Sequence, residues 1–184
     1  GSENGSLEAN TNGSGMFSYL DNVDTLDLTG LDTSNMTSMS MMFYKSTSLK
    51  SIDVSGFDTS KVVNMNGMFW ECSNLTSINV SNFNTSKVTD MNNMFAECSN
   101  LITLDLSNFD TSNVLYMGNP YNYSYGGMFR NCSSLVSLNI SSFNTSKVKQ
   151  MSNMFSVCSS LVTLDLSNFD TSNVTAMSSM FEKC

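Results

Sequence analysis

The chain has 184 residues, a formal net charge of −8 and no histidine. That balance excludes binding to nucleic-acid phosphates by counterion release, and it removes the commonest general base and metal ligand. Hydrophobic residues make up 40% and charged residues only 13%, so a core is available and Ser, Thr and Asn must supply most of the wetted surface. No apolar run approaches the roughly 20 residues needed to cross a bilayer.

In chain order, Gly1-Ser2 reads as a cloning scar, and residues 1–15, rich in Gly, Ser, Asn and Glu, are expected to be a flexible lead-in. They lack the charged-then-apolar pattern of a signal peptide, so any export signal or anchor is expected outside this sequence.

From residue 16 onward the chain repeats. Leu49, Leu75 and Leu101 are 26 residues apart, Leu135 follows after 34 and Leu161 after 26; Cys72, Cys98, Cys132, Cys158 and Cys184 keep the same steps. Six units result, 23–48, 49–74, 75–100, 101–134, 135–160 and 161–184, with Met16-Phe17 matching the end of an earlier one. In unit 75–100, Ile78 and Val80 share one face of a short strand, Asn84-Thr85-Ser86 supply capping oxygens, and Val88, Met91, Met94, Phe95 and Cys98 follow at helical or 3₁₀ spacing. One such unit cannot bury its apolar side chains alone, whereas stacked units bury them in columns. The expected fold is an α/β repeat: a leucine-rich-repeat-like solenoid of six units, each a short strand plus a short helical or 3₁₀ turn, with a parallel stacked sheet on one face.

The Phe column (Phe43, Phe69, Phe95, Phe129, Phe155, Phe181) and two Met columns, beginning at Met39 and Met42, read as adaptable core and not as a thioether metal site. The five cysteines are expected to be free and buried, because in-register side chains point in parallel. Without C-x-x-C or histidine, no metal site or cofactor is expected.

The pattern M-F-x-x-C-S-x-L-x-x-L-D-L-S-x-F-D-T-S-x-V-x-x-M resembles the BspA-like leucine-rich-repeat surface proteins of bacteria over residues 16–184. The resemblance implies an extracellular, adhesive solenoid without catalytic residues. The units lack the buried Asn that follows the strand in standard leucine-rich repeats, a place where Ser or Thr hydroxyls are expected to stand in.

The outward strand columns form a hydroxyl–carboxylate–hydroxyl strip, from which Asp53, Ser77, Asn79, Asp105 and Asn139 are candidate ligand contacts. Two acid/amide columns, 27/53/79/105/139/165 and 32/58/84/110/144/170, change together. Stacked carboxylates repel by roughly 1 kcal/mol when solvated, and interleaved amides relieve this; calcium between Asp27 and Asp53 or Asp32 and Asp58 is the alternative. The fourth unit carries eight extra residues within 118–127, with the chain's one proline and Tyr121, Tyr123 and Tyr125. Such insertions emerge as loops on one face, and Tyr, Ser, Gly and Asn suit binding loops. Tyr116, Asn119, Tyr121, Asn122, Tyr123, Tyr125 and Arg130 are therefore the candidate loop site, against the alternative that the tyrosines fold back over the surface. No nucleophile–base pair or phosphate-cradling loop appears, so no enzyme is expected. The expected function is a surface binding module for a host protein or glycan, without nucleic acid or membrane insertion; a spacer, or an ice- or crystal-binding face, are the alternatives. The last unit, lacking a cap, is expected to offer an end for self-association.

Overall fold

Alternating outward Ser, Thr, Asp and inward Leu or Ile residues form short parallel strands in the computed structural model, which describes residues 7–119 and 126–184. These strands are β1 (Leu7–Glu8), β2 (Thr25–Leu26), β3 (Leu31–Asp32), β4 (Ser51–Ile52), β5 (Thr103–Asp105) and β6 (Ser137–Asn139). β1 pairs with β3, β2 with β4 and β5 with β6. Register matches equivalent columns of successive units, as in Thr25 opposite Ser51 and Thr103 opposite Ser137. A second line of parallel bridges links Asn12, Ser38, Asn64, Asp90, Tyr116, Gln150 and Ala176 in succession. Residues 7–15 are not a detached lead-in: β1 lies on β3, and the Gly13 and Gly15 amides donate to the Ser38 and Ser40 carbonyls.

No continuous helix occurs among the described residues, and the Met–Phe segment is a run of turns. In the first unit the amides of Met42, Tyr44 and Ser46 donate to carbonyls three residues back. Those of Met39, Met41, Phe43 and Lys45 donate instead to Asn64, Asn66, Met68 and Trp70 of the next unit. An α-helix would keep every such bond within its own segment. Here alternate amides turn outward, and the backbone enters the left-handed region at Met41 (φ 54°) and Lys45 (φ 56°). The same two positions recur at Asn93 and Glu97, and at Asn153 and Val157.

The Met and Phe columns are fully buried through Phe155. Successive rings from Phe17 to Phe181 stack at 5.4–6.1 Å, and the widest step, Phe95 to Phe129, spans the insertion with the rings only 1° from parallel. In the last unit Met177 and Phe181 are 44% and 47% exposed, having a neighbour on one side only. The thiols are free, but Cys184 is exposed for the same reason, which corrects the expectation of five buried groups.

Polar ladders accompany this core. Thr59, Thr111 and Thr145 are buried, and each hydroxyl donates to a carbonyl in the next unit (Asn84, Asn144 and Asp170) at 2.9–3.0 Å while accepting the amide of the same residue at 2.8 Å. Each threonine thus closes both backbone groups of one residue in the next unit. Asn82 adds a clamp, its amide donating to the carbonyls of Val54, Ser55 and Phe57.

Candidate functional site

The polar groups of the outward columns are largely committed to local turns. Asp53, Asn79, Asp105 and Asn139 each accept, through Oδ1, the backbone amide two residues on, at 2.9–3.2 Å. The second acid column does likewise, from Ser34 on Asp32 to Ser172 on Asp170. Hydrogen bonds from these Ser and Thr residues hold Asp27, Asp32, Asp53, Asp58, Asp105, Asp110, Asp165 and Asp170 below the usual carboxylate range. Repulsion from Asp27 on Asp53, and from Asp32 on Asp58, acts the other way and is the weaker influence. The Asn139 side chain, opposite Asp105 in register, adds a small further lowering there, so an amide in the column favours the neighbouring carboxylate. At the calcium positions considered, each carboxylate already serves its own turn, and no three His, Cys, Asp or Glu gather among the described residues.

Ser77, Asn79 and Asp105 line one shallow groove of about 260 Å³ between the third and fourth units, over Ile78 and Val80. Asp53 belongs to a separate groove of about 210 Å³ with Ser55, Gly56 and Thr29. Asn139 lies one unit beyond Asp105, as its register partner. The groove offers hydroxyl, amide and carboxylate hydrogen-bonding groups over an apolar floor.

The insertion leaves the array through two glycines. Gly118 and Gly127 form an antiparallel bridge, and the Gly127 amide donates to Asn93 Oδ1 at 3.0 Å. A Cβ on Gly118 would meet the Ser152 amide nitrogen at 2.4 Å, and one on Gly127 the Asn153 carbonyl oxygen at 2.2 Å. Only glycine lets this neck press against the following unit. Asn119 is 8% exposed, its Cβ against Gly126, and so is a foot of the loop and not a presented contact. Tyr116 is half-buried, and its backbone belongs to the line of bridges. Arg130, expected to face a ligand, donates to Glu97 in the preceding unit, as does the Asn131 amide; the neighbouring acid draws both in. Tyr121, Asn122, Tyr123 and Tyr125 lie outside the described residues.

Two features escaped sequence reasoning. The Asp90 carboxyl is half-buried, which pushes its pKa up, beside Asn92, whose Oδ1 is buried without a partner among the described residues. An aromatic cluster of Tyr19, Tyr44 and Trp70 also lies on the edge formed by the Met–Phe segments; the signal for it was the chain's one tryptophan in the same column as Tyr44.

No curated protein and no solved structure matches the chain. A family model described as "Mycoplasma protein of unknown function, DUF285" matches residues 11–126 and again 123–184. The two matches divide at the insertion and together cover nearly all of the repeated sequence, and the chain belongs to the DUF285 family.

Proposed function

We propose that the chain is an extracellular surface-binding module of bacterial adhesin type, a leucine-rich-repeat-like solenoid of the kind found in BspA-like surface proteins. The observation that carries this reading is the glycine neck: Gly118 and Gly127, between which the eight extra residues fall, pair in an antiparallel bridge while the rings of Phe95 and Phe129 stay parallel across the gap. A segment that leaves the core undisturbed is held there for what it presents. Its Tyr, Asn and Ser content is that of a recognition loop, and no enzymatic role is proposed.

The test is the triple substitution of Tyr121, Tyr123 and Tyr125 by Ser. Attachment to host cells lost at an unchanged melting temperature supports the binding loop. Unchanged attachment moves recognition to the groove of Ser77, Asn79 and Asp105, and a fall in melting temperature makes the tyrosines structural. A spacer role is the second reading, supported by the commitment of both acid columns to turns; it requires that no variant of either surface alter attachment.

A further inference from the structure

Three aromatic side chains line up along the edge formed by the Met–Phe segments. The Tyr19 and Tyr44 rings meet edge-to-face at 5.5 Å, and the Tyr44 and Trp70 rings lie 4.8 Å apart, tilted by 43°. Tyr19 is 58% exposed, and Tyr44 and Trp70 are half-buried. The array does not require aromatics here. The residue after the core phenylalanine is Tyr44, Trp70, Ala96, Arg130, Ser156 and Glu182 in the six units.

The ridge also has a seat. Of the left-handed positions Gly15, Met41, Gly67, Asn93, Asn153 and Ser179, two are glycine, and Gly67 belongs to the unit that carries the only tryptophan. A Cβ on Gly67 would stand 3.5 Å from Trp70 Cε3 and 3.3 Å from Met41 Cγ. The indole thus lies within ordinary van der Waals reach of the Gly67 position, and Met41 is the tighter neighbour. The flank is polar: Lys45 Nζ lies 5.3 Å from the Tyr44 ring centre and 3.7 Å from the Glu71 carboxylate.

We propose that the Tyr19–Tyr44–Trp70 ridge is a binding site for a neutral oligosaccharide. This rests on the reading of the chain as a surface-binding module and gives it a ligand class and a second location. Pyranose rings present apolar C–H faces that pack on aromatic rings, while their hydroxyls need donors and acceptors at the margin. Lys45 and Glu71 supply both. Charge selects among sugars: the Lys45 ammonium is already matched by Glu71, and the chain carries −8, so a sialylated or sulfated glycan is repelled. Shape argues against a protein ligand. The ridge's exposed large apolar residues among those described are Tyr19 and Met41, whereas a protein interface needs a far broader patch. Tyr44 and Trp70 come from successive units, so a sugar chain lying along this end of the array meets both rings in turn.

Trp70 is the sole tryptophan, so its fluorescence reports the site directly. The whole chain is titrated with neutral tetrasaccharides of glucose, N-acetylglucosamine and mannose, and with sialyllactose and heparin fragments as anionic probes. The expected result is a saturable change in emission with at least one neutral probe and none with the anionic ones. Trp70→Ser and Tyr44→Ser, which install the residue the array carries at Ser156, are expected to weaken neutral-probe binding about tenfold or more, read by calorimetry. Trp70→Phe is expected to retain most of it. Silence across the neutral panel, a response confined to anionic probes, or calorimetric affinity unchanged in both Ser variants overturns the proposal. If either variant fails to fold, the wild-type titration still decides. Host-cell attachment that depends on Tyr121, Tyr123 and Tyr125 but not on Tyr44 or Trp70 overturns the ridge and leaves the surface-binding reading standing.

Discussion

The thiol of Cys98 donates to the backbone carbonyl of Phe69, 3.1 Å away in the preceding unit. Cys72, Cys132, Cys158 and Cys184 repeat the contact with Phe43, Phe95, Phe129 and Phe155, and Ser46 makes it to Phe17 at 2.7 Å. Each of the five phenylalanine carbonyls that a thiol reaches already accepts the backbone amide three residues on, so the thiol is a second donor that ties the next unit to it. Burial pushes the Cys72 and Cys158 thiols up to about 12 and those of Cys98 and Cys132 well above the ordinary value. In the folded chain at neutral pH, a thiol reagent is expected to modify Cys184 rapidly and the other four only on unfolding. Rapid modification of all five in native protein would contradict this ladder, and mass spectrometry of the labelled protein distinguishes the cases.

The stacked rings make the cost of a cavity depend on position. Phe95 packs between Phe69 and Phe129, whereas Phe181 stacks on Phe155 and is 47% exposed in this chain. Phe95→Ala is expected to destabilise by about 3–5 kcal/mol, and Phe181→Ala by much less. Denaturant melts of both variants check the difference, and equal shifts would contradict a core shared between neighbouring units.

Thr111 closes both the amide and the carbonyl of Asn144. Thr111→Val keeps the shape and removes the hydroxyl, leaving two backbone groups without that partner. A loss of about 1–3 kcal/mol is expected. Thr111→Ser, retaining the oxygen, is expected to cost less, and chemical denaturation of the pair reads the contrast.

Acid is expected to weaken the fold. The eight aspartates held below the usual range contribute stability that is present above about pH 4 and is lost as pH falls through their lowered folded-state values. Asp58→Asn, the residue found at Asn84 in the same column, keeps the turn acceptor and is expected to lessen the acid dependence. Asp90 has the opposite sign. Burial raises its pKa, so its charged form opposes folding near neutrality and the penalty vanishes at low pH. Asp90→Asn is expected to raise the melting temperature at pH 7 and to leave it unchanged near pH 3; a gain of equal size at both would show that charge is not the cause.

The unit boundaries and the inward residues were legible because one period governs both, and Leu75, Met91 and Phe95 fall at the same phase in every copy. The path of the Met–Phe segment was not, because steps of three residues fit a helix as well as a run of turns. What separates them is whether the Met41 amide bonds within its own unit or to Asn66 of the next, a choice that exists only once units stand side by side. Local strain also misled, since Val157 (φ 62°) shows no signal of the left-handed position it occupies. In the candidate site, the insertion was visible as a broken period, but the capture of Arg130 by Glu97 spans 33 residues and left no mark in the local sequence.

The hydrogen bonds between units have a kinetic consequence. Cys98 reaches Phe69 across 29 residues, and Cys132 reaches Phe95 across 37 because the insertion lies between them. Loop-closure entropy grows only with the logarithm of length, so the eight extra residues slow that step by the equivalent of about 0.2 kcal/mol. Each further unit closes a loop of nearly constant size onto the one before it. Once any two neighbours have docked, growth in either direction proceeds without the penalty that distant strand pairing imposes on other sheet proteins.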